Sequence, residues 1–121
     1  MKPFTGAQIK KKSVLGIGNA LIDVLITITD DAVLQKFGLP KGSMTLVDAI
    51  LSAEIKKETK NSTRSIQTGG SAANTVHGIA KLGGKCGYIG KISSDEFGNF
   101  YLEDFRNNKI NTHFFYSETG T

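Results

Sequence analysis

The sequence predicts an α/β protein built on a mainly parallel sheet, and three observations carry that expectation. Apolar runs of strand length alternate with helical patterns along the chain, and glycines mark the junctions between them. The composition is that of an ordinary globular chain: 121 residues, 39% hydrophobic and 21% charged, with 14 glycines, one cysteine and no tryptophan. High glycine with low proline points to tight turns and close backbone approaches rather than to a polar linker. The longest apolar stretches fall far short of the roughly 18 residues that span a bilayer, so no transmembrane helix is expected.

Taken in order, Val14, Leu15, Gly16, Ile17 and Gly18 form a short apolar run ending in glycine, as a buried parallel strand does before a turn. Residues 22–29 alternate. Ile22, Val24, Ile26 and Ile28 share one face, and Asp23, Leu25, Thr27 and Thr29 share the other, so Asp23 points away from the isoleucines on a strand with one wetter face. Asp30 or Asp31 can cap a short helix carrying Val33, Leu34 and Phe37, which Gly38 and Pro40 stop. Residues 43–47 read as a second polar-faced strand. Asp48 then caps a helix to about Thr59, with Lys56, Lys57 and Lys60 near its C-terminal end.

Residues 63–68 read as extended, and Gly69 and Gly70 break the run. Ser71 is the expected N-cap of a helix whose apolar face is Ala72, Ala73, Val76, Ile79, Ala80 and Leu82, stopped by Gly83 and Gly84. A strand over 85–90, a loop over 91–94 and a helix from Asp95 follow. That helix places Phe97, Tyr101 and Phe105 at four-residue spacing and ends at Asn107 and Asn108, before a strand over 111–116. Residues 117–121 are turn-like, directly behind a strand that wants a neighbour. With so few crossover helices, part of the sheet is left uncovered, and the chain reads as a fragment.

The formal net charge is +4, but it sits at one end. Without Lys2, Lys10, Lys11 and Lys12 the basic and acidic residues are equal in number, so residues 1–12 read as a basic, flexible tail. No basic stripe with interleaved aromatics marks the body, and a nucleic-acid partner is not expected. The tail has no apolar core or small-residue cleavage site, so it is not a secretory signal, and no membrane partner is expected. The single Cys86 cannot form an internal disulfide and lies in an apolar strand, which favours a buried small hydrophobe in a reducing cytoplasm.

The segment Thr68-Gly69-Gly70-Ser71-Ala72-Ala73-Asn74-Thr75 carries the most chemistry. Two glycines between a strand and a small-residue helix let a ligand approach the backbone, and the free amides of the first turn offer donors. Asn74, one turn in, presents a carbonyl and an amide suited to a hydroxyl pair on a sugar. A turn whose glycines merely permit tight packing fits the spacing equally well. Asn19 and Asp23 sit at a strand end and on a polar strand face. An amide and a carboxylate there can hold sugar hydroxyls, with an exposed carboxylate of no role as the alternative.

Other signatures are excluded. Gly16-Ile17-Gly18 begins like a dinucleotide fingerprint, but the third glycine is missing and strand alternation follows where a helix should start. Neither Gly84-Lys85 nor Gly90-Lys91 has the glycine spacing or the following Ser or Thr of a P-loop. His77 and His113 have no partner at metal-ligand spacing, and no metal ligand is assigned.

Together, Gly16-Ile17-Gly18-Asn19-Ala20-Leu21-Ile22-Asp23, Lys41-Gly42-Ser43-Met44, Gly69-Gly70-Ser71-Ala72-Ala73-Asn74-Thr75, Gly87-Tyr88-Ile89-Gly90-Lys91 and Asp95-Glu96-Phe97-Gly98 resemble the N-terminal part of the PfkB (ribokinase-like) sugar and nucleoside kinases, nearest the adenosine kinase-like branch. The resemblance covers residues 13–121. It implies part of a three-layer α/β/α fold with a mainly parallel sheet and small β lid strands at about 22–29 and 43–47. It also implies an ATP-dependent transfer to a primary hydroxyl of a sugar or nucleoside, adenosine favoured, with Mg²⁺ assisting. On the same resemblance Asn19, Asp23, Gly69, Gly70 and Asn74 hold the acceptor hydroxyls, and two copies can pair through the lid strands. The family's catalytic Asp lies in a Gly-Ala-Gly-Asp segment beside the nucleotide site. No such segment occurs in this sequence. The resemblance therefore assigns no catalytic residue to this chain, places the ATP and Mg²⁺ sites outside it, and implies that the chain alone is inactive. A non-catalytic ribose- or nucleoside-binding module is the alternative.

Overall fold

The computed structural model describes residues 12–118, so most of the basic tail and the last three residues lie outside the description. The elements in chain order are β1 (Ser13–Ile17), β2 (Leu21–Thr27), α1 (Ala32–Lys36), α2 (Ala49–Glu58), β3 (Thr63–Gly69), α3 (Ser71–Lys81), β4 (Lys85–Ser93), α4 (Glu96–Asn107) and β5 (Asn111–Ser117). The chain divides into two compact units. One takes the described residues up to Asp23 and from Thr68 onward, and the other is Val24–Gln67.

The first unit holds a three-stranded parallel sheet in the order β1-β4-β5. Val14 pairs with Cys86 in one ladder and Ile89 with His113 in the other. Both helices of this unit lie on one face of the sheet. The Cβ that Gly16 lacks would fall 2.7 Å from Val76 of α3, and Tyr88 of β4 packs its ring 4.8 Å from Phe105 of α4. Cys86, Tyr88 and Ile92 alternate along β4 toward this face and are buried, with Ala73, Val76, Tyr101, Phe105 and Ile110 completing the core. Tyr101 and Phe105 stack at 4.8 Å, and Phe114 meets Tyr101, Tyr88 and Phe105 near 6 Å. The opposite sheet face is apolar but open: Leu15, Ile17 and Phe115 are 61%, 69% and 58% exposed. The expectation of a buried β1 is therefore not met: Val14, on the helix-facing side, is 44% exposed and Gly16 is half-buried, because β1 is an edge strand with only one covered face.

Helix starts are specified locally. Asp48 accepts from the Leu51 amide at 2.8 Å and Asp95 from the Gly98 amide at 2.9 Å, so α2 and α4 begin where the cap residues predict. At α3 the cap differs. Gly70 occupies the N-cap and Ser71 is already helical, with no side-chain cap bond, because the turn needs φ +102° at that position and glycine alone enters it freely. Strand β4 continues through Ser93, past the predicted break at residue 91, because β5 pairs with it as far as Ser93↔Ser117.

The second unit is dominated by polar ties. Among the described residues the buried apolar side chains all belong to the first unit. Here Lys36–Glu58 (2.6 Å) and Lys41–Asp31 (2.9 Å) are exposed ion pairs of about 0–1 kcal/mol each, and Arg64 donates to the Oγ1 of buried Thr59 at 3.2 Å. Strands β2 and β3 form a two-stranded antiparallel sheet. The strand expected at 43–47 is absent. That stretch is a connection in which Met44 and Leu46 are each 99% exposed, and β3 takes the place beside β2. Alternation alone does not make a strand: the backbone needs a partner, and 43–47 is enclosed between the Ser43–Pro40 turn and the α2 cap. Among the described residues no helix is long and apolar enough to cross a membrane.

Candidate functional site

The fold brings four of the five predicted site residues together. The chain leaves β1 through Gly18, whose amide donates to the Ile89 carbonyl at 3.2 Å, and passes Asn19 before entering β2. Asp23, on the polar side of β2, lies against the end of β3. A Cβ on Gly69 would sit 2.6 Å from Asp23 Oδ2, so the carboxylate rests on the bare Cα of that glycine. A Cβ on Gly70 would sit 2.8 Å from the Asn19 carbonyl oxygen. Glycine at both positions is thus what lets the Asn19–Asp23 segment close on the turn. Asn74 is one helical turn further, its backbone amide donating to the Gly70 carbonyl at 2.8 Å. Asn19, Asp23 and Asn74 are exposed.

Five residues that the sequence did not assign to the site stand behind this turn. Tyr88 donates its hydroxyl to the Asn19 carbonyl at 3.1 Å, and Tyr101 donates to the Gly69 carbonyl at 3.2 Å. Thr68 donates to Asp104 Oδ2 at 2.6 Å, and Asn108 donates to Asp104 Oδ1 at 3.2 Å. Tyr101 reads from sequence as one more apolar residue at helical spacing, and the contact of Asp104 with Thr68 spans 36 positions. A small, open, mostly apolar depression of about 20 Å³ is lined by Ala20, Ile22, Ile92, Ser93, Phe97, Gly98 and Tyr101.

His77 of α3 lies 3.3 Å from Asp104 Oδ2 and edge-on to Phe105 at 4.5 Å. Burial lowers its pKa, outweighing the opposing pull of Asp104, and Lys81 lowers it further. The unfolded chain therefore takes up the proton first. The stability held by neutral His77 is full above about pH 6.5 and declines as pH falls from there toward the folded-state value. Thermal melts between about pH 8 and 5 should show this decline, and His77→Gln should remove its part of it. Cys86 is buried, its Sγ 3.3 Å from the Val76 carbonyl, and burial pushes its thiol up, as expected of an inert core cysteine. Among the described residues no group of three or more His, Cys, Asp or Glu converges to hold a metal ion.

The model of the pfkB family of carbohydrate kinases matches residues 40–121. The chain belongs to this family. Its fold is shared with solved ribokinase-like kinases. Adenosine kinase from Schistosoma mansoni in complex with 2-fluoroadenosine superposes with a TM-score of 0.72 at 28% identity, covering 87% of this chain and 31% of that one. Adenosine kinase from Sinorhizobium meliloti gives 0.69 at 33% identity, covering 88% of this chain and 32% of that one. Among curated relatives, 5-dehydro-2-deoxygluconokinase of Clostridium botulinum is 47% identical over 53 residues, 43% of this chain and 16% of that protein. The chain thus spans about a sixth of the length of such curated relatives and about a third of the solved kinases.

Proposed function

We propose that this pfkB-family chain supplies the acceptor-binding side of an ATP-dependent kinase whose acceptor, a nucleoside or sugar, carries adjacent hydroxyls near a primary hydroxyl. The observation that carries this reading is the Asp23 carboxylate resting on the bare Cα of Gly69, exposed at a glycine turn beside free helix-start amides. Asp23 accepts hydrogen bonds from the hydroxyl pair, Asn19 and Asn74 add amide contacts, and Gly69 and Gly70 leave the room a side chain would fill. Adenosine is the favoured acceptor, supported by the adenosine kinases among the structural neighbours. The 47% match to 5-dehydro-2-deoxygluconokinase supports that sugar acid as a second candidate, and it too has neighbouring hydroxyls.

Phosphoryl transfer requires a positioned nucleophile and neutralised charge on the moving group. The sequence has no Gly-Ala-Gly-Asp segment, so in this reading the base, ATP and Mg²⁺ are held by groups outside it, and the chain alone transfers nothing. Pairing of two copies through the small antiparallel sheet and a cytoplasmic setting complete the reading. A non-catalytic nucleoside-binding module keeps the same acceptor contacts and differs in lacking any turnover once the missing segments are supplied.

The test is calorimetric titration of adenosine and of 5-dehydro-2-deoxygluconate into Asp23→Ala and Ser94→Ala proteins. Ser94 is exposed and outside the site. Asp23→Ala should cost about 1.5–3 kcal/mol of affinity for the true acceptor, the range for a hydrogen bond to a charged group, and Ser94→Ala close to none. Equal affinities for the two variants would remove Asp23 from the site.

A further inference from the structure

The acceptor reading leaves two buried hydroxyls unexplained. Tyr88 and Tyr101 are each 1% exposed, and the two rings that meet both of them, Phe105 and Phe114, carry no polar atom. A hydroxyl buried among such rings costs stability unless it is hydrogen-bonded, so its target is informative. The two hydroxyls go to the two backbone stretches that form the candidate site: Tyr88 from β4 to the Asn19 carbonyl, Tyr101 from α4 to the Gly69 carbonyl. Gly18 keeps the first path open, since a Cβ there would lie 3.3 Å from the Tyr88 hydroxyl and 3.0 Å from Ala72 Cβ. The rings lie 6.3 Å apart, and Phe105 packs against both at 4.8 Å. Burial, with the neighbouring Tyr88 hydroxyl, pushes the Tyr101 phenol up, so it stays protonated and donates.

We propose that Tyr88 and Tyr101 are positioning residues, a rigid pair whose hydroxyls set the separation between the Asn19–Asp23 segment and the Gly69–Gly70 turn and thereby tune acceptor affinity. This rests on the acceptor reading. The rings themselves touch no acceptor in this role. They act through two carbonyls, and the exposed Asp23 and Asn19 inherit the placement. Phenylalanine in either position keeps the packing and removes the tie, after which the turn and the segment drift relative to each other. Bound acceptor, which needs both at once, is then held less tightly.

The experiment compares the full chain with its Tyr88→Phe, Tyr101→Phe, Tyr116→Phe and Asp23→Asn variants. Tyr116 is 57% exposed on β5 and serves as the control. Affinity for adenosine and for 5-dehydro-2-deoxygluconate, melting temperature and the ¹³C carbonyl shifts of Asn19 and Gly69 are read for each. Tyr88→Phe and Tyr101→Phe should each weaken binding about 3- to 10-fold, the net worth of one hydrogen bond, while Tyr116→Phe leaves it unchanged. Tyr101→Phe should move the Gly69 carbonyl shift and Tyr88→Phe that of Asn19. Lower melting temperatures with unchanged affinity would show a purely structural role and overturn the proposal, as would unmoved carbonyl shifts. A folding failure in one variant leaves the other decisive. If the parent binds neither probe, or if Asp23→Asn binds as tightly as the parent, the acceptor reading itself falls and takes this proposal with it. Weakening by Asp23→Asn without weakening by either phenylalanine overturns the positioning role alone.

Discussion

Gly70→Ala is expected to lower stability by about 3 kcal/mol and to abolish acceptor binding. Two costs combine at this residue. Its backbone stands at φ +102° and ψ 134°, a conformation that side chains rarely adopt and that costs on the order of 1–3 kcal/mol for a non-glycine residue. The added Cβ would also lie 2.8 Å from the Asn19 carbonyl oxygen, a backbone atom that Tyr88 already holds, so relief requires moving the chain between β1 and β2. Overpacking of that kind adds roughly 1–3 kcal/mol. Chemical denaturation of the variant gives the stability, and titration with adenosine gives the binding. A Gly70→Ala protein as stable as the parent would mean that the turn is not held as described. Gly69→Ala offers a contrast: the atom in the way is the end of an exposed Asp23 side chain that can rotate aside, so affinity should suffer more than stability.

Gly98→Ala should be comparably severe, about 3 kcal/mol, for a purely steric reason. Gly98 is buried in the first turn of α4, and a Cβ there would collide with the carbonyl oxygen of Ser93 at the end of β4. The obstacle is main chain in a paired strand, so the helix must move instead. Moving α4 displaces Tyr101 and Phe105, which are 1% and 0% exposed and stack at the centre of the core. The melting temperature should fall by about 10–20 °C, since each kcal/mol is worth some degrees in a domain of this size. A shift of less than about 3 °C would show that the β4–α4 junction is far more yielding than its close contact implies.

These two glycines show where sequence reading reaches and where it stops. The alternation of apolar and helical patterns, the Asp48 and Asp95 caps and the glycine breaks are short-range signals, set by dihedral preferences and backbone hydrogen bonds within a few residues. They determined the α/β class, all four helices and the positions of β1, β2, β3 and β5, and the motif resemblance pointed to the family. The glycine turn and Asp23 were legible as candidates because a bare backbone and a carboxylate on a wet strand face are visible in the chain itself.

What the sequence could not supply depends on partners far along the chain. The strand read at 43–47 has the right alternation but no neighbour, while β3 pairs with β2 because the fold, not its composition, sets them side by side. β4 runs on to Ser93 because β5 is there to bond it. The Asp23–Gly69 contact joins residues 46 positions apart, Tyr88 reaches Asn19 across 69, and Tyr101 reaches Gly69 across 32. No local preference encodes such contacts. They follow from burying an aromatic cluster against one sheet face, which leaves each tyrosine hydroxyl to find an acceptor at the edge of the core, and the available acceptors are the carbonyls of the two segments that meet there.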